Sequence, residues 1–148
     1  MNLDVKIVCK DKKYMPSYAN STDACLDLKA RLDYPHDIIN PGETIVYGTG
    51  VKVSIPEGYV MLVYPRSSTG IKMHCMLSNT TGVIDSGYRN EINLAITNFV
   101  NMAVEIIDGQ RLAQFMIIPR PKVNLIQVED NDDFRNGDRG GGIGSTGV

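Results

Sequence analysis

Short apolar runs that alternate with polar residues, each ended within a few positions by glycine, proline or asparagine, leave this chain few folds to choose from. Val5 to Cys9 alternates with charged residues as a half-buried strand does. Leu26 and Leu28 share one face of an extended stretch, with Asp27 on the other. Thr44 to Tyr47 and Val51 to Ile55 read as strands split by Gly48-Thr49-Gly50. Pro56-Glu57-Gly58 turns into Tyr59 to Tyr64, a mostly apolar run that predicts a central strand. Val104 to Ile107 and Leu112 to Ile117 follow, separated by Asp108-Gly109-Gln110, and Val123 to Val128 is expected to be the last strand. Tyr34-Pro35-His36 and Asn40-Pro41-Gly42-Glu43 are turns. Helical periodicity is nearly absent; one short helix, capped by Ser67 or Ser68 and running through Met73, is the exception. The expected class is all-β, a sandwich or barrel.

A chain of 148 residues, 43% hydrophobic and 22% charged, fits one domain with its own core. A net charge of -2 argues against a general nucleic-acid or membrane-surface binder, which is usually basic. No stretch is apolar enough to span a membrane, and the first residues lack the apolar run of a signal peptide. Cys9, Cys25 and Cys75 are odd in number and widely spaced, with neither a zinc pattern nor a disulfide framework, so a reducing, cytoplasmic setting is expected. His36 and His74 have no paired-ligand spacing.

Three stretches carry chemistry. In Gly82-Val83-Ile84-Asp85-Ser86-Gly87-Tyr88, an apolar strand end runs into strong turn residues, and Glu91 to Thr97 then alternates with Ile92, Leu94 and Ile96 on one face. This predicts a tight hairpin with the Asp85 carboxylate and the Tyr88 ring at its tip; an ordinary surface turn capped by Asp is the bland alternative. Pro65-Arg66-Ser67-Ser68-Thr69-Gly70 reads either as plain helix capping or as a phosphate site built from hydroxyls and free backbone N–H groups. From Asn131 to Val148 only Phe134 and Ile143 are large and apolar away from the final Val148. That composition suits a flexible Gly-rich tail or a mobile arm in which Arg139, Ser145 and Thr146 close over phosphates. No Lys-Ser/Thr pair follows the glycines, so it is not a Walker A loop.

In order and character these stretches closely resemble the trimeric all-β dUTP pyrophosphatase (dUTPase) family, over nearly the whole chain from Ala24 to Gly147. Five motifs stand in family order: Ala24 to Ala30, Pro65 to Gly70, Gly82 to Ile92, Arg111-Leu112-Ala113-Gln114-Phe115, and Arg139 to Gly147. The resemblance implies a jelly-roll-like β domain over residues 1–130. It also implies an arm over residues 131–148 that closes the active site of another subunit in a homotrimer. It implies hydrolysis of dUTP to dUMP and pyrophosphate with Mg2+ on the triphosphate, a reaction that limits uracil in DNA and supplies dUMP for thymidylate. Asp85 would deprotonate the water that attacks the α-phosphorus. A carboxylate is a weak base, so alignment and charge neutralisation should supply most of the acceleration. Tyr88 would pack on the deoxyribose and leave no room for a 2′-hydroxyl. Asn79 would read the uracil edge, with backbone groups of Gly82 and Ile84 completing base recognition. Phosphates would fall to Arg66, Ser67, Ser68, Gln114, Arg139, Ser145 and Thr146, although Arg66 has a structural alternative, pairing with a carboxylate near the hairpin. Asp27 would hold metal-bound water rather than Mg2+ directly.

The chain departs from the family pattern at Cys25, Gly87, Asn90 and Ile143. Ile143 stands where the fifth motif usually carries Phe, so uracil would be covered by another ring, Phe99 or Phe134, or closure would be weaker. Two rival readings remain. A dCTP deaminase of the same fold would use Glu91, the nearest acid in the hairpin. A non-catalytic or regulatory binder would leave no mark of its protein partner in the sequence.

Overall fold

Strands dominate the computed structural model, which describes residues 2–138 and residue 140. They are β1 (Lys6–Cys9), β2 (Leu26–Lys29), β3 (His36–Ile39), β4 (Thr44–Gly48), β5 (Val51–Ser54) and β6 (Tyr59–Pro65). After the short helix α1 (Ser67–Ile71) come β7 (Cys75–Leu77), β8 (Gly82–Ile84), β9 (Asn93–Asn98), β10 (Val104–Ile107), β11 (Arg111–Pro119) and a second short helix, α2 (Asp132–Arg135). One sheet runs β2-β11-β6-β8 and another β4-β9-β7; β1 pairs with β5 and β10 with β3. Every pairing between these strands is antiparallel.

In β9 the alternation read from the sequence is the alternation of burial. Leu94 and Ile96 of β9, with Ile92 just before it, point inward and meet Leu28, Ile39, Met61, Ile106 and Leu112 in one core. Each such side chain contributes about 1.5–3 kcal/mol by leaving water. The buried Asn98 is fully used: its amide donates to the carbonyls of Ile39 and Met102, and its Oδ1 accepts the Val100 N–H. As expected, β6 is central, with β11 on one side and β8 on the other.

Three local expectations change. The helix begins at Ser67, its N-cap is Arg66, and no side chain caps it. The predicted hairpin is instead a crossover: β8 pairs with β6, and β9 pairs with β4 and β7, so residues 85–92 carry the chain from one sheet to the other. The physical reason lies at Ile92, whose N–H donates to Val51 and whose carbonyl accepts the Thr49 N–H, pulling the segment toward the β4–β5 turn. Finally, residues 123–128 form no strand, and Val123, Leu125, Ile126 and Val128 are all exposed. An alternating pattern shows that a segment suits a ladder; it does not supply the partner.

Candidate active site

Asp27 is the centre of one group of side chains. It is 6% exposed. Its Oδ1 lies 2.8 Å from the Arg66 Nε, and its Oδ2 accepts from an Arg111 terminal nitrogen at 3.0 Å. The sheet makes this meeting possible, because β11 pairs with β2 on one edge and β6 on the other, placing Gln114 opposite Asp27 and Tyr64. A bulge between Arg111 and Ala113 takes Leu112 out of the pairing with β2. The Leu112 carbonyl then accepts the Thr69 hydroxyl at 2.7 Å and the Arg66 N–H at 3.2 Å, fastening α1 to the sheet. Gln114 donates from Nε2 to the Pro65 carbonyl at 3.2 Å. Two guanidinium groups on one carboxylate leave a net positive charge, beside the exposed Ser67 and half-buried Ser68. That combination can hold phosphate oxygens. Arg66 thus does pair with a carboxylate, but with Asp27 of β2 rather than one near Asp85.

A second group follows the chain from Ser78 to Glu91. Asn79 is exposed, and its side chain has no hydrogen-bond partner among the described residues. Gly82 is buried against β6; a Cβ there would meet the Val63 Cβ at 3.2 Å and the Asn79 Nδ2 at 3.8 Å. Asp85 is exposed, and among the described residues its carboxylate accepts no hydrogen bond. Its carbonyl accepts the Tyr88 N–H at 3.0 Å, while the Tyr88 hydroxyl donates to the Glu91 carbonyl at 2.8 Å. The Glu91 carboxylate accepts the Gly50 N–H at 2.7 Å and lies 3.5 Å from the Arg31 Nε. Glu91 therefore anchors the crossover to the β4–β5 turn, which leaves it poorly placed for the base attack a deaminase requires. Gly87 and Asn90 have no positive φ, so neither substitution strains the crossover. Cys25 is half-buried; burial first, and then the nearby Asp27 charge, push its thiol up, so it fills space as a neutral group.

The two groups are separate in one chain. Gly82 pairs with Val63 toward the α1 end of β6, whereas Asp85 lies beyond Ile84, which pairs with Met61. Three residues along a strand span about 10 Å. Among the described residues no hydrogen bond or ion pair joins Asp85 or Tyr88 to Arg66, Ser67, Ser68 or Gln114. Cavities of about 370 and 660 Å3 lie elsewhere, lined by Arg31 to Gly48 residues in one case and by Leu3, Met15, Tyr18 and Phe115 in the other. Phe99 is 54% exposed and meets His74 edge-on at 6.3 Å, while Phe134 of α2 is 65% exposed. Arg139, Ser145, Thr146 and Ile143 lie outside the described residues.

No cluster of three His, Cys, Asp or Glu side chains among the described residues could cage a metal. Asp27 still has lone pairs free beyond the two its arginines use. This donor set fits Mg2+, which keeps several waters and binds chiefly through phosphates. Sequence reasoning passed over Arg111, Thr69 and the anchoring role of Glu91. Arg111 opens the fourth motif, which was a signal; the bulge that turns it toward Asp27 left none.

An all-β domain with a free amide, a ring, an unpaired carboxylate and an arginine-rich cradle has the parts of a nucleotide-handling protein. Residues 11–147 match the sequence pattern of the dUTPase family, and the chain belongs to that family. It is 40% identical to the deoxyuridine 5'-triphosphate nucleotidohydrolase of Burkholderia ambifaria, with 99% of each chain covered. It is 41% identical to that of Cutibacterium acnes, covering 90% of this chain and 86% of the relative. Among solved structures, a variant of the Staphylococcus bacteriophage 80alpha dUTPase with dUpNHpp superposes with a TM-score of 0.85 at 28% identity, covering 99% of this chain and 100% of that one. The Streptococcus mutans dUTPase gives 0.73 at 26%, covering 81% and 98%. The fold is thus all-β and jelly-roll-like, with only short helices among the described residues. Mg2+ belongs to the family's chemistry, and a variant dUTPase from phage phi11 of S. aureus, TM-score 0.75 at 28% identity over 86% of this chain and 98% of that one, has been described with a structural Mg(II) ion.

Proposed function

We propose that this protein hydrolyses dUTP to dUMP and pyrophosphate, with Asp85 as the base. The water oxygen bonds to the α-phosphorus, the bond from that phosphorus to the bridging oxygen of the β-phosphate breaks, and the water's proton passes to the Asp85 carboxylate. The observation that carries this reading is the unpaired, exposed Asp85 carboxylate on a crossover pinned at both ends, in a chain of this family. Asn79 reads uracil together with backbone groups of Gly82 and Ile84, and Tyr88 packs on the deoxyribose. Arg66, Ser67, Ser68 and Gln114 take the phosphates, joined by Arg139, Ser145 and Thr146. Asp27 orients its two arginines and holds metal-bound water through its remaining lone pairs. Mg2+, when bound, neutralises charge on the triphosphate.

The separation of the two groups supports a homotrimer in which one chain's Asp85 and Tyr88 face another chain's Arg66 cradle, with residues 131–148 as the closing arm. We place the reaction in the cytoplasm, in keeping with free Cys9, Cys25 and Cys75; among the described residues no helix is long and apolar enough to cross a membrane. Staphylococcus phage relatives are described as controlling transfer of virulence genes by a G protein-like mechanism. A regulatory protein partner here would be found by pulldown with and without a dUTP analogue.

The test is pyrophosphate release with Mg2+ from dUTP, dCTP, dTTP and UTP. Release from dUTP alone is expected. Ammonia from dCTP would move the assignment to a deaminase, and equal release from UTP would remove Tyr88 from sugar recognition.

A further inference from the structure

Thr80, directly after the proposed base-reading amide, adopts φ +59°, in the left-handed region. A β-branched residue there is unusual and strained. The Thr81 N–H donates to the Asn79 carbonyl at 2.6 Å, closing a three-residue turn centred on Thr80, of the hand that is rare because it is strained. The same carbonyl accepts the Thr80 hydroxyl at 2.7 Å. The Thr80 N–H donates back to Leu77 at 2.8 Å. On the other flank, the Ser78 N–H donates to Ala95 at 2.9 Å, and the Ser78 hydroxyl meets the Thr97 hydroxyl at 2.7 Å. The backbone of Asn79 is therefore fixed on both sides, while its side chain has no partner among the described residues. Gly82 lies beside it, and its missing side chain keeps the space near the Asn79 Nδ2 open.

We propose that Thr80 is a positioning residue for base recognition, its strained turn presenting the Asn79 amide in the geometry uracil requires. The proposal rests on the reading of Asn79 as the base-recognising group. Strain of this kind persists only where the surroundings over-determine it, and a pre-set amide does not have to be ordered when the nucleotide binds. It also sharpens discrimination. Uracil and cytosine differ by an acceptor-for-donor exchange on the edge the amide faces, and a fixed amide cannot shift to accommodate the wrong edge.

The test uses the full chain with Thr80→Gly, Thr80→Ser and Asn79→Ala, reading Tm, kcat, KM for dUTP and the ratio of kcat/KM for dUTP over dCTP. Glycine accepts φ +59° without strain but loses the hydroxyl and frees the turn. The expected Thr80→Gly result is an unchanged Tm and kcat, a KM for dUTP roughly fivefold higher, and a selectivity ratio lower by a similar factor, the size of one lost hydrogen bond. Thr80→Ser keeps the hydroxyl and should stay close to the parent protein. A Thr80→Gly protein with KM and selectivity unchanged would overturn the proposal. So would one that melts several degrees lower with KM unchanged, since the turn would then serve stability. An Asn79→Ala protein with KM and selectivity intact would overturn the base reading itself.

Discussion

At Asp27 a nearly buried carboxylate meets two guanidinium groups and leaves the cradle positive. Arg111 is the more exposed of the two partners, at 48%, so its ion pair is partly screened by water. Arg111→Met should destabilise the protein by about 1 kcal/mol, read from urea midpoints, and should raise KM for dUTP while leaving dUTP selectivity intact. Asp108 is a second carboxylate whose surroundings decide its behaviour. Burial alone would raise it. The Leu32 N–H, the Lys13 ammonium and the Tyr14 hydroxyl outweigh that and hold it below the usual carboxylate range. A lowered folded value means that its contribution is complete above the unfolded pKa of about 4 and is lost as pH falls through the folded value. Asp108→Asn should therefore lower the urea midpoint at pH 7 and flatten its decline on acidification. An unchanged acid dependence would rule out Asp108 as the responsible group.

Among the elements, the crossover over residues 85–92 decides how the site is held. Its far end depends on Glu91, whose carboxylate accepts the N–H of the buried Gly50. Glu91→Ala leaves that N–H without its acceptor, a cost of about 1–3 kcal/mol. The expected outcome is a lower Tm and a lower kcat, with no ammonia from dCTP before or after the change. Most strands were legible in the sequence, β9 and β10 because burial follows a period of two, and β6 and β11 because they are mostly apolar runs. Partners were less legible. The Asp-Ser-Gly stretch announces a turn, yet a turn does not say which sheet receives the next strand, and here the Ile92 bonds to Val51 and Thr49 do. Short strands such as β3 and β7 were missed because a few residues carry too little pattern. The run at 123–128 misled for the opposite reason, since its pattern is good and it pairs with no strand among the described residues. Asp85, Tyr88, Asn79, Arg66 and Gln114 were singled out through motif order. Arg111 was not, because a bulge in β11 turns it toward Asp27.

For the whole molecule, one chain carries two groups of candidate side chains with no hydrogen bond or ion pair between them among the described residues, and shared sites between chains would unite them. Mixing Asp85→Asn with Arg66→Ala protein, each nearly inactive alone, should restore activity by forming sites with both residues intact. Continued inactivity after subunit exchange would argue for sites complete within one chain. The most direct measurement is single-turnover pyrophosphate release from dUTP with Mg2+, with nucleotide binding followed in the same samples, for the parent protein and Asp85→Asn. If Asp85 is the base, the variant binds dUTP but releases pyrophosphate at least roughly a hundredfold more slowly. Release within tenfold of the parent rate would contradict that role and leave the crossover as a binding element only.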